Sequence, residues 1–451
     1  YSIPEIKPDF EQKDIPVSEI NIPLRKGSGS NDYYDFFSGF VHGAYGNFNS
    51  PALSAGAAYG WDIFKTSFSG SYLSRKENVS YSDFSTGKAD ITIGAKIPET
   101  NSIFTKADAK LDFSFYKKKY NYYGWRENFY LPIPPAAFLL LPNELNRISL
   151  HAGISSEETE FYRYKANLSW NNFKTNPGTT YLESNKENIV AFDIAGSYNY
   201  EGYNFDGKIL INNTNLSSDF TSVNRSKNSF TFGTLLNAQK ELMSSISIIA
   251  GIKFYSFGDI RLDRDERSKN AFLPQFIVKY ENSSNLSVSA GYTPNLKINS
   301  LQDIYSINPY TRFIGMSHLL NKHDINANID YFYGKYLRIK GTLGYLVQEN
   351  TPLFSEMFIG MTKLWMVDIV DQSAKGIYAR LRLDYYLNPL SSFVLNFAYQ
   401  DKKIDSENIP YEPKYVLSLD YFSELNFGLN INPAFDLVGD RYSFYNKKLL
   451  K

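Results

Sequence analysis

Histidine and cysteine are the residues most often used for metal binding and nucleophilic catalysis, and this chain contains few of them. Cysteine is absent, which removes disulfides, thiol nucleophiles and thiolate metal sites, and there are only four histidines. His42, His151, His318 and His323 do not share the spacing of a zinc site with another ligand. We expect His318 and His323, which flank a strand start, to be solvated loop residues. The sequence therefore predicts no metal site and no cofactor.

A serine hydrolase would need a Ser–His pair and an orienting acid or amide. His151 lies on the polar side of an alternating segment and serines are abundant, so a membrane hydrolase remains an open alternative. No Gly-x-Ser-x-Gly turn occurs, and the charged segment 263–267 lacks the spacing of a calcium loop. We predict no catalytic residue and no enzymatic activity.

The charged residues that alternate with apolar ones are more informative. From Ile377 to Tyr385 every odd position is apolar or aromatic, whereas Arg380, Arg382 and Asp384 occupy even positions. Strand side chains alternate between faces, so this segment has one apolar and one ionic face. A charge facing lipid would cost about 2–4 kcal/mol at the bilayer midplane, so we expect the ionic face to point into an enclosed lumen. The lumen-lining candidates are Arg338, Lys340, Arg380, Arg382, Asp324, Asp330 and Asp384.

Two roles are open for these charges, and a loop offers a third kind of candidate. Opposite charges are mixed along the strands, which favours salt bridges that brace a wide barrel over a pore lining that selects ions or solutes. Separately, the apolar segment 132–142 has proline at both ends of a long loop, and Phe138, Leu139, Leu140 and Leu141 are candidates for contacting a partner or entering the lumen. The alternative is a patch that touches lipopolysaccharide or the barrel rim.

Alternating segments like Ile377–Tyr385 recur along most of the chain. They commonly run for ten or more residues, which matches the 9–11 residues of a tilted membrane strand better than the five or six of a soluble β-sandwich. We count about nineteen strands from Phe36 to Gly439. The fold class is therefore predicted to be all-β: a transmembrane antiparallel up-and-down β-barrel of about 18–22 strands.

Composition agrees with that fold and excludes others. The 451 residues include 36 Tyr and 34 Phe, and Lys plus Arg equal Asp plus Glu at 47 each. No stretch of about 18 apolar residues exists, which excludes helical membrane spans. A polar chain rich in aromatics is typical of membrane barrels with aromatic girdles. The balanced charge gives no field that would attract nucleic acid.

The connections between strands are predicted to alternate in length, with short turns on the periplasmic side and long loops outside the cell. This parity makes residues 362–386 one long strand. Residues 1–35, with four prolines, are predicted to be an extended periplasmic arm, and 36–451 to be the barrel. An odd strand number leaves two alternatives, a strand missed in the count or absent last strands, and the second is slightly favoured. Long polar segments lie near 76–84, 119–144, 171–185, 218–226, 259–269, 296–320, 348–361 and 402–411.

Several segments carry a family resemblance. They are Gly39–Asn47, Pro51–Gly56, Phe68–Ser74, Leu145–Phe173 and Leu273–Pro309, the last of these ending in Leu-Gln-Asp-Ile-Tyr-Ser-Ile-Asn-Pro. With these segments the chain resembles the TonB-dependent-receptor-like outer-membrane barrels, and specifically the branch whose barrel follows a short proline-rich arm instead of a plug domain. The resemblance implies an outer-membrane location in a Gram-negative bacterium.

Two functions follow as hypotheses. The first is a transport- or pore-related barrel that resembles TonB-dependent receptors without a plug. The second is a structural barrel subunit that anchors a multi-protein complex of the cell envelope. Expected partners are outer-membrane lipid and lipopolysaccharide, and other envelope proteins through the N-terminal arm or external loops.

Overall fold

The structure, a computed structural model, describes residues 36–46, 49–76, 83–98, 106–121, 142–156, 162–177, 183–220, 223–261, 268–282, 285–307, 311–313, 315–359, 362–370, 373–388, 390–425, 430–442 and 449–450. The predicted arm, residues 1–35, and the loop candidates Phe138, Leu139, Leu140 and Leu141 lie outside the described residues. No helix in the described ranges is long and apolar enough to cross a membrane.

The elements in chain order are almost all strands. They are β1 Phe36–Gly46, β2 Ser50–Trp61, β3 Phe64–Arg75, β4 Phe84–Ile97, β5 Ala107–Tyr120, β6 Asn143–Ser156, β7 Tyr162–Asn176, β8 Ser184–Tyr200, β9 Tyr203–Phe220, β10 Val223–Met243, β11 Ile246–Gly258, β12 Ile260–Arg261, β13 Ser268–Asn282, β14 Leu286–Tyr292, β15 Asn295–Lys297, α1 Leu301–Ile307, β16 Thr311–Phe313, β17 Gly315–Met316, β18 Leu319–Tyr333, β19 Leu337–Glu349, β20 Thr351–Ile359, β21 Thr362–Val370, β22 Ala374–Asn388, β23 Ser391–Ile404, β24 Glu407–Asn408, β25 Tyr415–Glu424, β26 Asn430–Ile431, β27 Ala434–Val438, β28 Arg441–Tyr442 and β29 Leu449–Leu450.

Within the described residues, one antiparallel sheet of 22 strands forms the body of the protein. Three of its members, β15, β24 and β26, have only two or three residues, which leaves nineteen longer strands. Each of these pairs with its neighbour in the chain, as in β1 with β2 and β22 with β23. Within the described residues β1 pairs only with β2, and β27 only with β25. The predicted up-and-down transmembrane β-barrel is confirmed.

The two faces of the sheet have opposite chemistry, as β8 shows. Val190, Phe192, Ile194 and Tyr198 point to one side and are well exposed, whereas Asn185, Glu187 and Asp193 alternate with them on the other. Ten residues separate Val190 from Tyr200, so a strand tilted by about 40° carries an apolar band about 25 Å tall. This is the height of the lipid-facing band of an outer-membrane barrel, and we call its side the outer face.

Tight turns connect strands at one end of the sheet. Between β8 and β9 the turn consists of Glu201 and Gly202, with φ of 47° and 78°. Two consecutive residues with positive φ form the two-residue hairpin turn that matches strand twist, and glycine takes this conformation without steric penalty. The long connections lie at the opposite end, which the general rule for these barrels makes extracellular.

Two predicted connections were wrong. Residues 362–386 are not one strand, because β20 and β21 pair with each other as a hairpin outside the main sheet and β22 begins only at Ala374. The hairpin returns the chain to the same end of the barrel, so the sides of the later loops are as expected. The segment 218–226 is mostly strand, since β9 and β10 remain paired up to Phe220 and Val223.

The extracellular loops pair with one another. β16 runs parallel to β21 and joins β20 and β21 in a three-stranded sheet, and β12 pairs with β17. Three separate connections, namely 259–267, 293–318 and 350–373, therefore share backbone hydrogen bonds. Such pairing fixes the loops relative to each other in a way that side-chain contacts alone would not.

Prediction 1 tests the assignment of the outer face. Leu168 on β7 is half exposed in the middle of the apolar band. Leu168→Arg should destabilise the folded barrel in lipid by about 2–4 kcal/mol, because a charge would face hydrocarbon. Ser169→Arg, one residue further on the same strand but on the other face, is the matched control and should cost much less. Urea unfolding from liposomes measures both, and equal losses would contradict the assignment.

Candidate functional site

A segment of the connection between β14 and β18 folds onto the inner face of the barrel. We call residues 298–307, which include α1, the luminal segment. It follows β15, which pairs with β18 in the main sheet. Side chains of β11 contact the start of β15: the Lys253 ammonium donates to the carbonyl of Pro294 at 2.9 Å and the Tyr255 hydroxyl to Asn295 Oδ1 at 3.1 Å. From there the chain runs to the strands β5 to β9.

Helix α1 packs against the inner faces of four strands. Leu301, Ile304 and Tyr305 are almost completely buried, with exposed fractions of 0, 2 and 6%. Their partners in one apolar cluster are Tyr120 of β5, Leu145 of β6, Phe173 of β7 and Leu216 of β9. All four partners alternate with lipid-facing residues, so they lie on the same face as the lumen-lining candidates. The connection that leaves β14 thus contacts the inner faces of β5, β6, β7 and β9. This contact requires the sheet to curve around a lumen.

The sequence of α1 explains why a helix forms here. Leu301, Ile304 and Tyr305 have the spacing that puts side chains on one helical face. Ser300 and Asp303 form a reciprocal capping box. The Asp303 amide donates to Ser300 Oγ at 3.1 Å, and the Ser300 amide donates to Asp303 Oδ2 at 2.8 Å. These contacts satisfy backbone donors that the start of a helix otherwise leaves unpaired.

A buried carboxylate on the barrel wall accepts a further donor of the helix start. Both oxygens of Glu187 lie 2.9 Å from the backbone nitrogen of Leu301, and the Glu187 side chain is fully buried. Burying a carboxylate is expensive unless it is hydrogen-bonded. This contact therefore ties the wall to the helix, and either partner alone would be left with an unpaired polar group.

Tyr305 provides a second polar tie to the wall. Its hydroxyl accepts from Asn185 Nδ2 at 3.0 Å, and its ring lies 6.0 Å from that of Phe173. Burial raises the pKa of Tyr305 to about 12, so the phenol keeps its proton at physiological pH. The helix is thus held by apolar contacts along its length and by hydrogen bonds at both ends.

After α1 the chain returns to the wall at residues 315–320, which we call the return limb. His318 is buried rather than solvated, so our expectation for it was wrong. Its Nε2 lies 3.1 Å from Thr231 Oγ1, its ring is 6.1 Å from Phe257, and its carbonyl accepts from Asn350 at 3.0 Å. Ser317 donates to Asp259. Burial lowers the pKa of His318 to about 4, with Asp259 opposing the shift, so the imidazole is neutral at pH 7.

The seven lumen-lining candidates all lie on the inner face, on three neighbouring strands. Arg338 donates to Asp330 through Nε and Nη2 at 3.0 and 2.7 Å, and Lys340 lies 3.9 Å from the same carboxylate. Arg382 pairs with Asp384 at 2.9 Å. The Arg338–Asp330 pair joins the neighbouring strands β19 and β18, whereas Arg382 and Asp384 both lie on β22. Partly hydrated pairs contribute only about 0–1 kcal/mol each, and the bracing role remains a prediction. Their pore-lining role remains a prediction.

Asp324 and Arg380 are placed differently from the other five. Asp324 accepts from the Tyr378 hydroxyl at 2.8 Å. Arg380 lies over the Tyr378 ring at 5.7 Å and has no ion-pair partner among the described residues. Of the predicted cations, Arg380 is thus the one whose charge is not neutralised by a neighbouring described carboxylate.

The remaining histidines give no sign of chemistry. His151 is the register partner of Ser169, but it makes no hydrogen bond to a serine in the described part of the chain. Within the described ranges no group of three or more His, Asp or Glu side chains could hold a metal ion. His323 contacts Tyr292 at 2.9 Å on an exposed surface.

Sequence reasoning missed the residues that hold the luminal segment. The capping box Ser300-Leu-Gln-Asp303 and the apolar spacing after it are visible in the sequence and indicate a helix start. Nothing in the sequence indicates that Glu187, which is 114 residues away, would meet that helix. The same holds for Thr231 and His318, which are 87 residues apart.

Comparison with known proteins supports the fold. The copper transporter OprC superposes with a TM-score of 0.67 at 10% sequence identity, over 91% of this chain and 70% of that one. The FrpB iron transporter from Neisseria meningitidis gives 0.65 at 11% identity, over 93% and 70% of the two chains. The alcaligin outer-membrane receptor FauA from Bordetella pertussis gives 0.60 at 11%, over 91% and 69%. These neighbours are TonB-dependent receptors. No family model and no curated protein matches the sequence.

At such low identity the likeness shows the fold and not the cargo. It confirms the outer-membrane β-barrel class that the sequence predicts, and the outer-membrane location that goes with that class. The names of the neighbouring proteins refer to copper, iron and alcaligin. This chain shares the architecture of those proteins.

Prediction 2 concerns the tie between wall and helix. Glu187→Ala removes the acceptor of the buried Leu301 amide, which should weaken docking of α1 by about 1–3 kcal/mol. Hydrogen exchange at Leu301–Tyr305 should then speed up about tenfold or more. Asp193→Ala is the matched control, because Asp193 is an inner-face acid of the same strand whose contacts are with Asn167 and Lys208. Unchanged exchange in Glu187→Ala would contradict the tie.

Prediction 3 concerns the return limb and pH. The pKa of His318 is about 4 when buried and 6.5 when free, so the undocked limb binds more protons between these values. Docking should therefore be fully stable above pH 6.5 and weaken as pH falls, by about 2 kcal/mol at pH 5. Hydrogen exchange at residues 317–320 measures this. His318→Gln keeps a hydrogen-bond partner for Thr231 and should remove the weakening of docking at acid pH. An identical pH profile of hydrogen exchange in the wild type and this variant would refute the prediction.

Proposed function

We propose that this protein is an outer-membrane transport barrel related in architecture to TonB-dependent receptors, and that it works without a plug domain. The observation that carries the proposal is the luminal segment, in which a capped helix with an apolar face is buried against the inner wall. A barrel with the nineteen long strands of the described ranges encloses more space than its own wall side chains fill. A segment of its own loop narrows the passage instead of a separate domain.

The polar inner face supports movement of a hydrated solute through the remaining space. Besides the paired charges, it carries amides and hydroxyls that bond to each other, such as Asn326 to Thr293 at 2.7 Å and Thr342 to Asn328 at 2.8 Å. Such a lining exchanges hydrogen bonds with a solute without a strong trap. Arg380 adds a positive charge, and together with the other six candidates it would bias the lumen toward particular ions or solutes.

The second candidate function is a structural barrel that anchors an envelope complex. It is favoured by the outer face of β1, where Phe37, Val41 and Tyr45 have exposed fractions of 75, 80 and 72%; among the described residues only β2 lies beside this strand. A strand edge with large exposed apolar side chains suits contact with another membrane protein. In that case the paired loops and the N-terminal arm would carry further contacts.

Prediction 4 tests the transport proposal by planar-bilayer recording of the full chain. The wild type should show a small steady conductance. Leu301→Asp with Ile304→Asp puts two carboxylates into the apolar cluster, so α1 should leave the wall and the conductance should change by several-fold. Gln302→Asp with Ser306→Asp adds the same charge on the less buried side of α1 and should conduct like the wild type.

The outcomes separate the two functions. A conductance that responds only to the variant with buried aspartates supports a passage controlled by the luminal segment. A silent barrel in all three proteins, together with stable co-purification of other envelope proteins, would refute the transport proposal and favour the anchor.

A further inference from the structure

Lysines form a row on the outer face just above the lipid band. Lys117 of β5 pairs in register with Asn146 of β6, which in turn pairs with Lys174 of β7. Lys174 pairs in register with Lys186 of β8. All of them point outward, because each alternates with inner-face residues such as Phe173 and Glu187. Four adjacent strands thus place three ammonium groups in one line along the barrel circumference.

The ammonium groups at the centre of this row repel each other when the protein has no bound anion. Lys174 and Lys186 are directly opposite each other across the β7–β8 ladder, where like charges are destabilising. Both are exposed, and neither has an ion-pair partner in the described residues. Nearby, Lys117 and Lys119 share the single carboxylate of Glu144, at 3.1 and 2.8 Å. Among the described residues these four ammonium groups therefore have one carboxylate in ion-pair contact, and Asp219 on the outer face of β9 lies diagonally from Lys186 without forming an ion pair with it.

The height of the row identifies what could neutralise it. On β7 the outward residues run through Leu168 and Trp170 to Asn172 and then Lys174, and on β8 through Val190 to Asn188 and then Lys186. The lysines are four residues beyond the last apolar position, or about 10 Å along a tilted strand. This is the headgroup layer of the extracellular leaflet, and a lysine side chain can bend back toward it.

The same arrangement occurs on the far part of the sheet. Lys375 of β22 is directly opposite Lys403 of β23 on the outer face, one outward position above Ile377. Lys403 has only Asp401 nearby at 3.9 Å, and Lys375 has no ion-pair partner among the described residues. The two opposed lysine pairs lie at the same rim but on strands that are far apart in the sheet. Their occurrence at the same height indicates that both pairs face the same environment.

We propose that this extracellular rim binds the phosphate groups of an anionic lipid in the outer leaflet. The site consists of Lys117, Lys119, Lys174 and Lys186, with Lys375 and Lys403 as a second, smaller site. A phosphate between two opposed ammonium groups converts their repulsion into two attractions. The side-chain amides of Asn146 and Asn188 lie beside the first site and offer donors to phosphate or sugar oxygens, and Asn172 Nδ2 donates to Asn188 Oδ1. This inference does not depend on whether the barrel transports a solute.

Prediction 5 tests the site with purified full chain in phosphatidylcholine nanodiscs with or without diphosphoryl lipid A. Added lipid A should raise the thermal stability of the wild type, and binding should weaken with salt. In Lys174→Gln with Lys186→Gln, lipid A binding should fall about tenfold or more, since two ammonium groups that attract the lipid phosphates are removed. Without lipid A this variant should be at least as stable as the wild type, because the repulsion is gone.

Lys96→Gln with Lys165→Gln is the matched control, because both lysines lie on the inner face and the change in charge is the same. It should bind lipid A like the wild type. An equal loss of binding in both double variants would mean that only the overall charge matters and would overturn the proposal. Wild-type binding by the rim variant would overturn it as well.

Discussion

Hydrocarbon supplies no hydrogen-bond partner, so every backbone amide and carbonyl at membrane depth must be satisfied within the protein. Among the described residues, seventeen of the nineteen long strands meet this requirement by pairing on both sides with their neighbours in chain order, and β1 and β27 pair on one side. Because the pairing is antiparallel and in register, outward side chains meet outward ones across every ladder. The apolar band and the polar inner face are both consequences of this one constraint.

A wide sheet creates a second problem, which is the space that it encloses. Wall side chains cannot fill the lumen of a barrel this large, and here a loop contributes a capped helix to the inner wall. The wall has adapted to it, since Phe173, Leu216 and Glu187 interrupt an otherwise hydrated polar face. A carboxylate buried against a backbone amide stabilises one docking position, because displacement in any direction leaves both groups unpaired.

The ion pairing of charged residues differs between the inner face, which meets water, and the outer face, which meets lipid. Inner-face ions are mostly paired with each other, as Arg338 is with Asp330 and Arg382 with Asp384. At the extracellular rim of the outer face, Lys174, Lys186 and Lys375 have no ion-pair partner among the described residues, and each stands opposite another lysine. Paired charges are compatible with an aqueous lumen whose solute content changes. Unpaired positive charges are compatible with a lipid headgroup layer that always carries negative charge.

The sequence alone determined the fold class and the shared face of the seven lumen-lining candidates, because a period of two in a long strand fixes which side chains share a side. Arg380, Arg382 and Asp384 could be placed opposite Ile377 and Leu381 before any coordinates were known. The sequence also contained the capping box of α1, although not its location. Only the tertiary structure decided that α1 lies on the wall near Glu187, that His318 is buried, and that residues 362–370 join a loop sheet. Those contacts join residues distant in the chain, and no local periodicity records which distant partner a segment will meet.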